Sequence, residues 1–141
     1  GPGGVRLHAI ADKSPSRIDG KMRELIRLVM AREMDQQFEW TMHEPVAIKE
    51  GLHPAIIETI RHSRSLQGTP EPEAVIIQLG REIVRQHRVS SETYARLANY
   101  FGKKDLIQIS ELIGGGMNSF VILYMFDVHL PYDRKPLLPI D

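Results

Sequence analysis

Glu39 and His43 stand four residues apart in Phe38-Glu39-Trp40-Thr41-Met42-His43-Glu44-Pro45. On a helix that spacing puts both side chains on one face. A carboxylate facing an imidazole is the simplest pair that can pass a proton. An exposed pair of this kind is an ordinary surface contact worth only ~0.3–0.5 kcal/mol. Phe38, Trp40, Met42 and Val46 surround this one and argue for partial burial. The chain has no cysteine, which excludes disulfides, zinc thiolates and thiol redox chemistry. What remains is chemistry by acids, bases and bound water, or by a metal. Glu39 and His43 supply only two metal ligands, and no second histidine follows at i+4. Neither a metal nor a cofactor is therefore expected.

The elements that must position the pair read as helices. Asp19 is placed to cap a helix starting near Gly20, with Met22, Leu25, Ile26, Val29 and Met30 on one apolar face. Asp35-Gln36-Gln37 marks a break. The next helix should run from about Phe38 to Glu50 and end at Gly51, a good C-terminal cap. Pro45 conflicts with it, because proline inside a helix costs roughly 3 kcal/mol. Either the helix kinks there or a new one starts near Glu44. In the second case Glu39 and His43 need not share a face, and Glu44 is a helix-start acid favoured by the dipole.

Further along, His53-Pro54 reads as a cap with proline at the first helical position, followed by Ile56, Ile57 and Ile60 pointing inward. Thr69-Pro70-Glu71-Pro72-Glu73 opens a helix with Val75, Ile76, Leu79, Ile83 and Val84 on its apolar face. Ser90 or Ser91 caps another, carrying Tyr94, Leu97, Ala98 and Phe101. The last begins near Asp105. Gly114-Gly115-Gly116 should either break it or mark close packing against another backbone, since each glycine costs about 1 kcal/mol against alanine. No strand alternation persists, and the tail from Asp127 has three prolines. The expected class is all-α, about six helices in antiparallel packing, in one domain over residues 19–141. Residues 1–18 read as a flexible arm, beginning with a cloning remnant at Gly1-Pro2-Gly3-Gly4.

The 141 residues suffice for one real core, and Lys+Arg and Asp+Glu balance at 18 each. That balance argues against a nucleic-acid partner and does little to oppose self-association. No apolar run approaches the roughly 20 residues that span a bilayer, and no signal segment opens the chain, so a cytoplasmic protein without a membrane partner is expected. The glycine triplet is no phosphate loop, because the preceding strand and following Lys-Ser/Thr are missing.

The chain also resembles the carboxymuconolactone decarboxylase family, which includes the alkyl hydroperoxidase D proteins. Arg23-Glu24-Leu25-Ile26, Glu39 to Pro45, Ala47 and Gly51-Leu52 carry the likeness. Further matches are Arg85 to Ser90 with Thr93-Tyr94, and Glu111-Leu112-Ile113 leading to Phe126-Asp127-Val128 and Leu130-Pro131. The resemblance implies an all-helical fold of the alkyl hydroperoxidase D type, assembled into trimers or hexamers with the site between subunits. In the peroxidase branch the positions of Gln36 and Glu39 hold cysteines, so the thiol route is closed here. An upstream glutamate that relays protons in that branch falls on Glu24, while a relay histidine falls on Phe38 and is missing. The decarboxylase branch keeps glutamate, three residues, histidine, as this chain does.

On that resemblance the expected activity is a cofactor-independent acid–base lyase or isomerase, with a small oxygen-rich organic acid or lactone as partner molecule. His43, Glu39 and Glu24 are the catalytic candidates. Trp40, the only tryptophan, is the substrate-binding candidate, although a lone tryptophan more often belongs to a core or interface. Gly115 and Gly116 stand where bulkier residues are expected, and would enlarge a pocket. The rival reading is a non-catalytic oligomeric ligand-binding protein that retains the fold.

Overall fold

The computed structural model describes residues 15–141. Most of the expected N-terminal arm therefore lies outside the described residues. Six helices follow one another: α1 (Gly20–Glu33), α2 (Gln37–Lys49), α3 (Pro54–Arg61), α4 (Glu73–Gln86), α5 (Ser91–Tyr100) and α6 (Lys103–Met125). No strand occurs among the described residues. The fold is all-α, as its apolar periodicity implies.

Local chemistry sets the boundaries. The Asp19 carboxylate accepts from the Met22 amide at 2.9 Å and starts α1. The Gln36 side chain accepts from the Phe38 amide at 2.9 Å and starts α2. His53 accepts from the Ala55 amide ahead of Pro54, and Ser90 accepts from the Thr93 amide. These contacts satisfy amides that have no partner in the first helical turn. Gly51 follows α2 at φ 95°, a conformation that glycine adopts without steric cost.

α1 is the centre of the molecule and packs on α2, α4, α6 and α3. Leu25, Leu28 and Ala31 are fully buried, with Trp40 and Ala47 from α2, Val75 from α4 and Phe120 from α6. The crossing of α1 and α4 is close. A Cβ on Gly80 would stand 2.2 Å from Cγ1 of Val29, a side chain stiff at χ1. Gly80→Ala gains helix propensity, but the clash outweighs it. We expect a net loss of about 1–3 kcal/mol, read from denaturant unfolding curves. A variant as stable as the parent would contradict this account of the crossing.

The α4–α5 corner is fastened by Glu82, which is 3% exposed. It accepts from the Ser90 amide at 2.7 Å, the Gln78 amide at 2.8 Å and the Thr93 hydroxyl. Burial pushes this carboxyl up, but the hydrogen bonds from Thr93, Ser90 and Gln78 outweigh it and hold it at about 2. The folded state thus binds this proton less readily than the unfolded chain. The contribution is fully present above the ordinary carboxylate range and fades as pH falls toward 2. It is on the order of 3 kcal/mol. Glu82→Gln should flatten the acid limb of a stability-against-pH curve between pH 5 and 2, and an unchanged limb would remove Glu82 from the explanation.

Several expectations need correction. Pro45 neither ends nor restarts a helix; α2 runs through it. The bond it removes is from its own nitrogen to residue 41, whereas the turn from 39 to 43 is closed by other amides. Its ring is also exposed. Residues 15–18 are not a free arm: the Ser16 hydroxyl and Arg17 amide donate to the buried Asp105 at 2.8 and 2.9 Å, and Ile18 enters the core. Of the side chains carried by α5, Tyr94 is half exposed.

The glycine triplet does not interrupt α6. A Cβ on Gly114, Gly115 or Gly116 meets nothing within 4 Å among the described residues, so no described backbone packs closely there either. At 23 residues, α6 is also long and apolar enough to cross a membrane by length and composition alone, against the sequence expectation. Gly, Asn and Ser broke the apolar run in the sequence without breaking the helix. Only 11% of its most apolar window is buried within the chain.

The tail returns to the body. The Leu137 amide donates to the Thr41 hydroxyl at 3.0 Å, and the Leu138 amide donates to the Gln37 side chain at 2.9 Å. Leu138 itself is buried. α2 is therefore held by α1 on one side and by the tail on another.

Candidate active site

Glu24 and Arg27 are three residues apart on α1, and Glu39 and His43 four apart on α2. Each pair shares a helical face, and the packing of α1 on α2 turns the two faces together. His43 Nδ1 lies 2.9 Å from Glu24 Oε2, and His43 Nε2 lies 3.3 Å from Glu39 Oε2. The imidazole thus has a carboxylate at each nitrogen. All three catalytic candidates meet, and Glu39 and His43 do face each other.

The Glu24 contact is a good hydrogen bond, whereas the Glu39 contact is at ion-pair distance without a hydrogen bond. A neutral ring can donate Nδ1–H to Glu24 and keep a lone pair on Nε2; the protonated ring donates from both nitrogens. Glu39 is 8% exposed, and its Oε2 is buried without a hydrogen-bond partner. A buried, under-satisfied carboxylate oxygen aimed at an imidazole is a place for a proton to go. His43 keeps a quarter of its side-chain surface, so one side of the ring is open.

Arg27 completes the cluster, and sequence reasoning did not select it. Its NH1 lies 3.4 Å from His43 Nε2 and 3.7 Å from Glu39 Oε2. The available signal was its i+3 spacing from Glu24. Behind Arg27, between α1 and α6, is a cavity of about 20 Å³ bounded by Arg23, Leu112, Gly116 and Phe120. That is room for one water. Gly116 lines it, as expected of a residue that opens space; Gly115 does not.

Trp40 is not placed to meet a substrate. It is completely buried, with the Arg61 guanidinium 5.8 Å above its ring. It points to the core because it follows Glu39 by one residue, about 100° around the helix. Glu44 is not a helix-start acid: it lies inside α2, buried, and its carboxylate pairs with Arg61 of α3. His53 is a cap and His62 pairs with Glu58 at the surface, as their positions suggest. Among the described residues no three His, Asp or Glu side chains are grouped to hold a metal. The two carboxylates here lie on opposite edges of the ring and do not converge on one point.

The fold and this cluster define a helical protein with a carboxylate–imidazole–carboxylate centre formed by two antiparallel helices. Residues 5–78, just over half of the chain, match the model of the carboxymuconolactone decarboxylase family. The chain belongs to that family, in a form without cysteine. The family includes enzymes. The matched segment contains all of α1, α2 and α3, and so every residue of the cluster; the motifs quoted beyond residue 78 fall outside it. No curated protein and no solved structure matches the chain at a significant level.

Proposed function

We propose that the protein is a cofactor-independent acid–base lyase, decarboxylase-like, or an isomerase, acting on a small oxygen-rich organic acid or lactone. The observation that carries this reading is the imidazole of His43 bracketed by Glu24 at 2.9 Å and Glu39 at 3.3 Å. Glu24 fixes the ring through Nδ1. Nε2 is then the nitrogen that takes or gives a proton at a carbon beside a carbonyl, and Glu39 exchanges that proton with it. In decarboxylation the C–C bond breaks, CO2 leaves, and the electron pair stays as an enolate that Nε2–H protonates at carbon. In isomerisation the same nitrogen removes a proton from one carbon and returns it to another.

The site belongs to an assembly in this reading. Val121, Ile122, Tyr124, Met125 and Phe126 leave between half and three quarters of their surface uncovered at the end of α6. A second copy, in a trimer or hexamer, covers that surface and encloses the open side of His43. The rival, a non-catalytic ligand-binding oligomer, draws on the one-water cavity beside the cluster.

The test is to incubate the protein in D2O with a panel of lactone acids and β-keto acids, following CO2 release and deuterium incorporation by NMR. Light scattering on the same sample reports the assembly. Deuterium entering a carbon beside a carbonyl at a rate above buffer supports the enzyme; saturable binding with no exchange or release supports the rival.

A further inference from the structure

Arg27 has five N–H donors, yet among the described residues its only polar neighbours are His43 at 3.4 Å and Glu39 at 3.7 Å. Both contacts are too long to be good hydrogen bonds. The Arg23 guanidinium, one turn earlier on the same face of α1, makes no hydrogen bond or ion pair with any described residue, and both arginines border the small cavity beneath Gly116. Like charges at this spacing oppose each other slightly. Solvent-facing arginines without partners are common, but Arg27 stands at the open edge of the proposed proton-transfer centre and Arg23 borders the cavity beside it. Arg27 NH1, His43 Nε2 and Glu39 Oε2 form a triangle with sides of 3.4, 3.3 and 3.7 Å. At that triangle Glu39 Oε2 can only accept, so the Arg27 guanidinium is the group that can donate to a ligand carboxylate beside Nε2.

We infer that Arg27, supported by Arg23, is the subsite that holds a substrate carboxylate beside His43 Nε2. The inference rests on the proton-transfer reading of His43 and adds the group by which the substrate is recognised. A guanidinium fits a carboxylate with two parallel hydrogen bonds. The carboxylate it holds is one that the reaction keeps. Gripping the group that departs as CO2 would stabilise a charge that the transition state loses, and so slow the reaction. A substrate that is decarboxylated here therefore carries a second acid group, whereas a substrate that is isomerised needs only one.

Paraconate, a five-membered lactone with one carboxylate, and its methyl ester are suitable probes. Binding is titrated by NMR on the wild-type protein and on Arg27→Gln, Arg27→Lys, Arg23→Gln and His43→Gln. The acid should bind the wild type about tenfold or more tightly than the ester. Arg27→Gln should erase that preference, Arg27→Lys should restore part of it, and Arg23→Gln should weaken it. His43→Gln should keep it. A wild type that does not favour the acid, or an Arg27→Gln variant that still does, overturns the inference. The proton-transfer reading fails separately, if His43→Gln retains turnover or exchange. Thermal melts confirm that each variant is folded.

Discussion

His43→Gln lowers turnover by about 10²–10⁴-fold, the usual contribution of a positioned acid or base, and leaves the melting temperature near that of the parent. Glutamine can still donate one N–H toward Glu24, so the local hydrogen bond survives. It is neither an acid nor a base at neutral pH, so the chemical step does not. Structural tolerance follows from position: a quarter of the His43 side chain is open to solvent, and the core residues of α2 lie on its other faces. Steady-state rates on the substrate found in the D2O screen, measured beside a thermal melt, check both halves of this expectation. Full activity in the variant sinks the assignment of His43, and a collapse of stability with the rate would make the loss uninformative about chemistry. Glu39→Gln separates those cases, because it keeps the shape of the side chain and removes only its capacity to hold the proton.

Arg61→Ala destabilises the protein by about 3–5 kcal/mol, the range expected when one partner of a buried ion pair is removed. Arg61 joins three parts of the molecule. Its guanidinium meets the buried Glu44 of α2 and Glu58 of α3, and it covers the ring of Trp40. Its carbonyl receives a hydrogen bond from Arg32 of α1 at 2.9 Å. Burial shifts the Arg61 guanidinium below its ordinary range, a sign that it is desolvated. Alanine strands the Glu44 carboxylate in the interior and uncovers Trp40. Arg61→Lys keeps a charge but loses the planar fork and the stacking, and should recover only part of the loss. Chemical denaturation of Arg61→Ala and Arg61→Ala/Glu44→Gln provides the check. The double variant should be the more stable of the two, because the stranded charge is gone. Equal stabilities would show that Glu44 does not depend on Arg61.

The helices were legible because their ends are written locally. Asp19, His53-Pro54, Ser90 and Gly51 each act on a backbone group within a few residues, and the structure puts each where its chemistry predicts. Glu39 and His43 were legible for the same reason, as a single helical turn. Glu24 entered only through family likeness, since 19 residues separate it from His43 and no local pattern links α1 to α2. Arg27 was missed on the same ground: beside Glu24 it looks like any solvated charge, and its meaning depends on which face of α1 meets α2. Trp40 and Glu44 were misplaced because burial on a short helix is set by neighbours from α3, through Arg61. The glycine run was misread because a propensity cost of about 1 kcal/mol per residue is too small to break a helix already anchored at both ends. That helix packs on α1 and α5, and the Tyr124 hydroxyl donates to the Met34 carbonyl at 2.9 Å near its end.

The double hold on the His43 ring has a stereochemical consequence. A ring bonded at Nδ1 and engaged at Nε2 cannot turn over and exchange its two nitrogens without leaving both carboxylates. Nε2, the nitrogen assigned to proton transfer in the proposed reaction, therefore keeps one address, with the helices behind it and the opening in front. A planar enolate lying in that opening presents one face to Nε2 and the other away from it. On the proposed acid–base reading, an enolate held in one orientation there would take its proton on one face only, and any stereocentre formed would have the configuration set by how α1 and α2 clasp one imidazole.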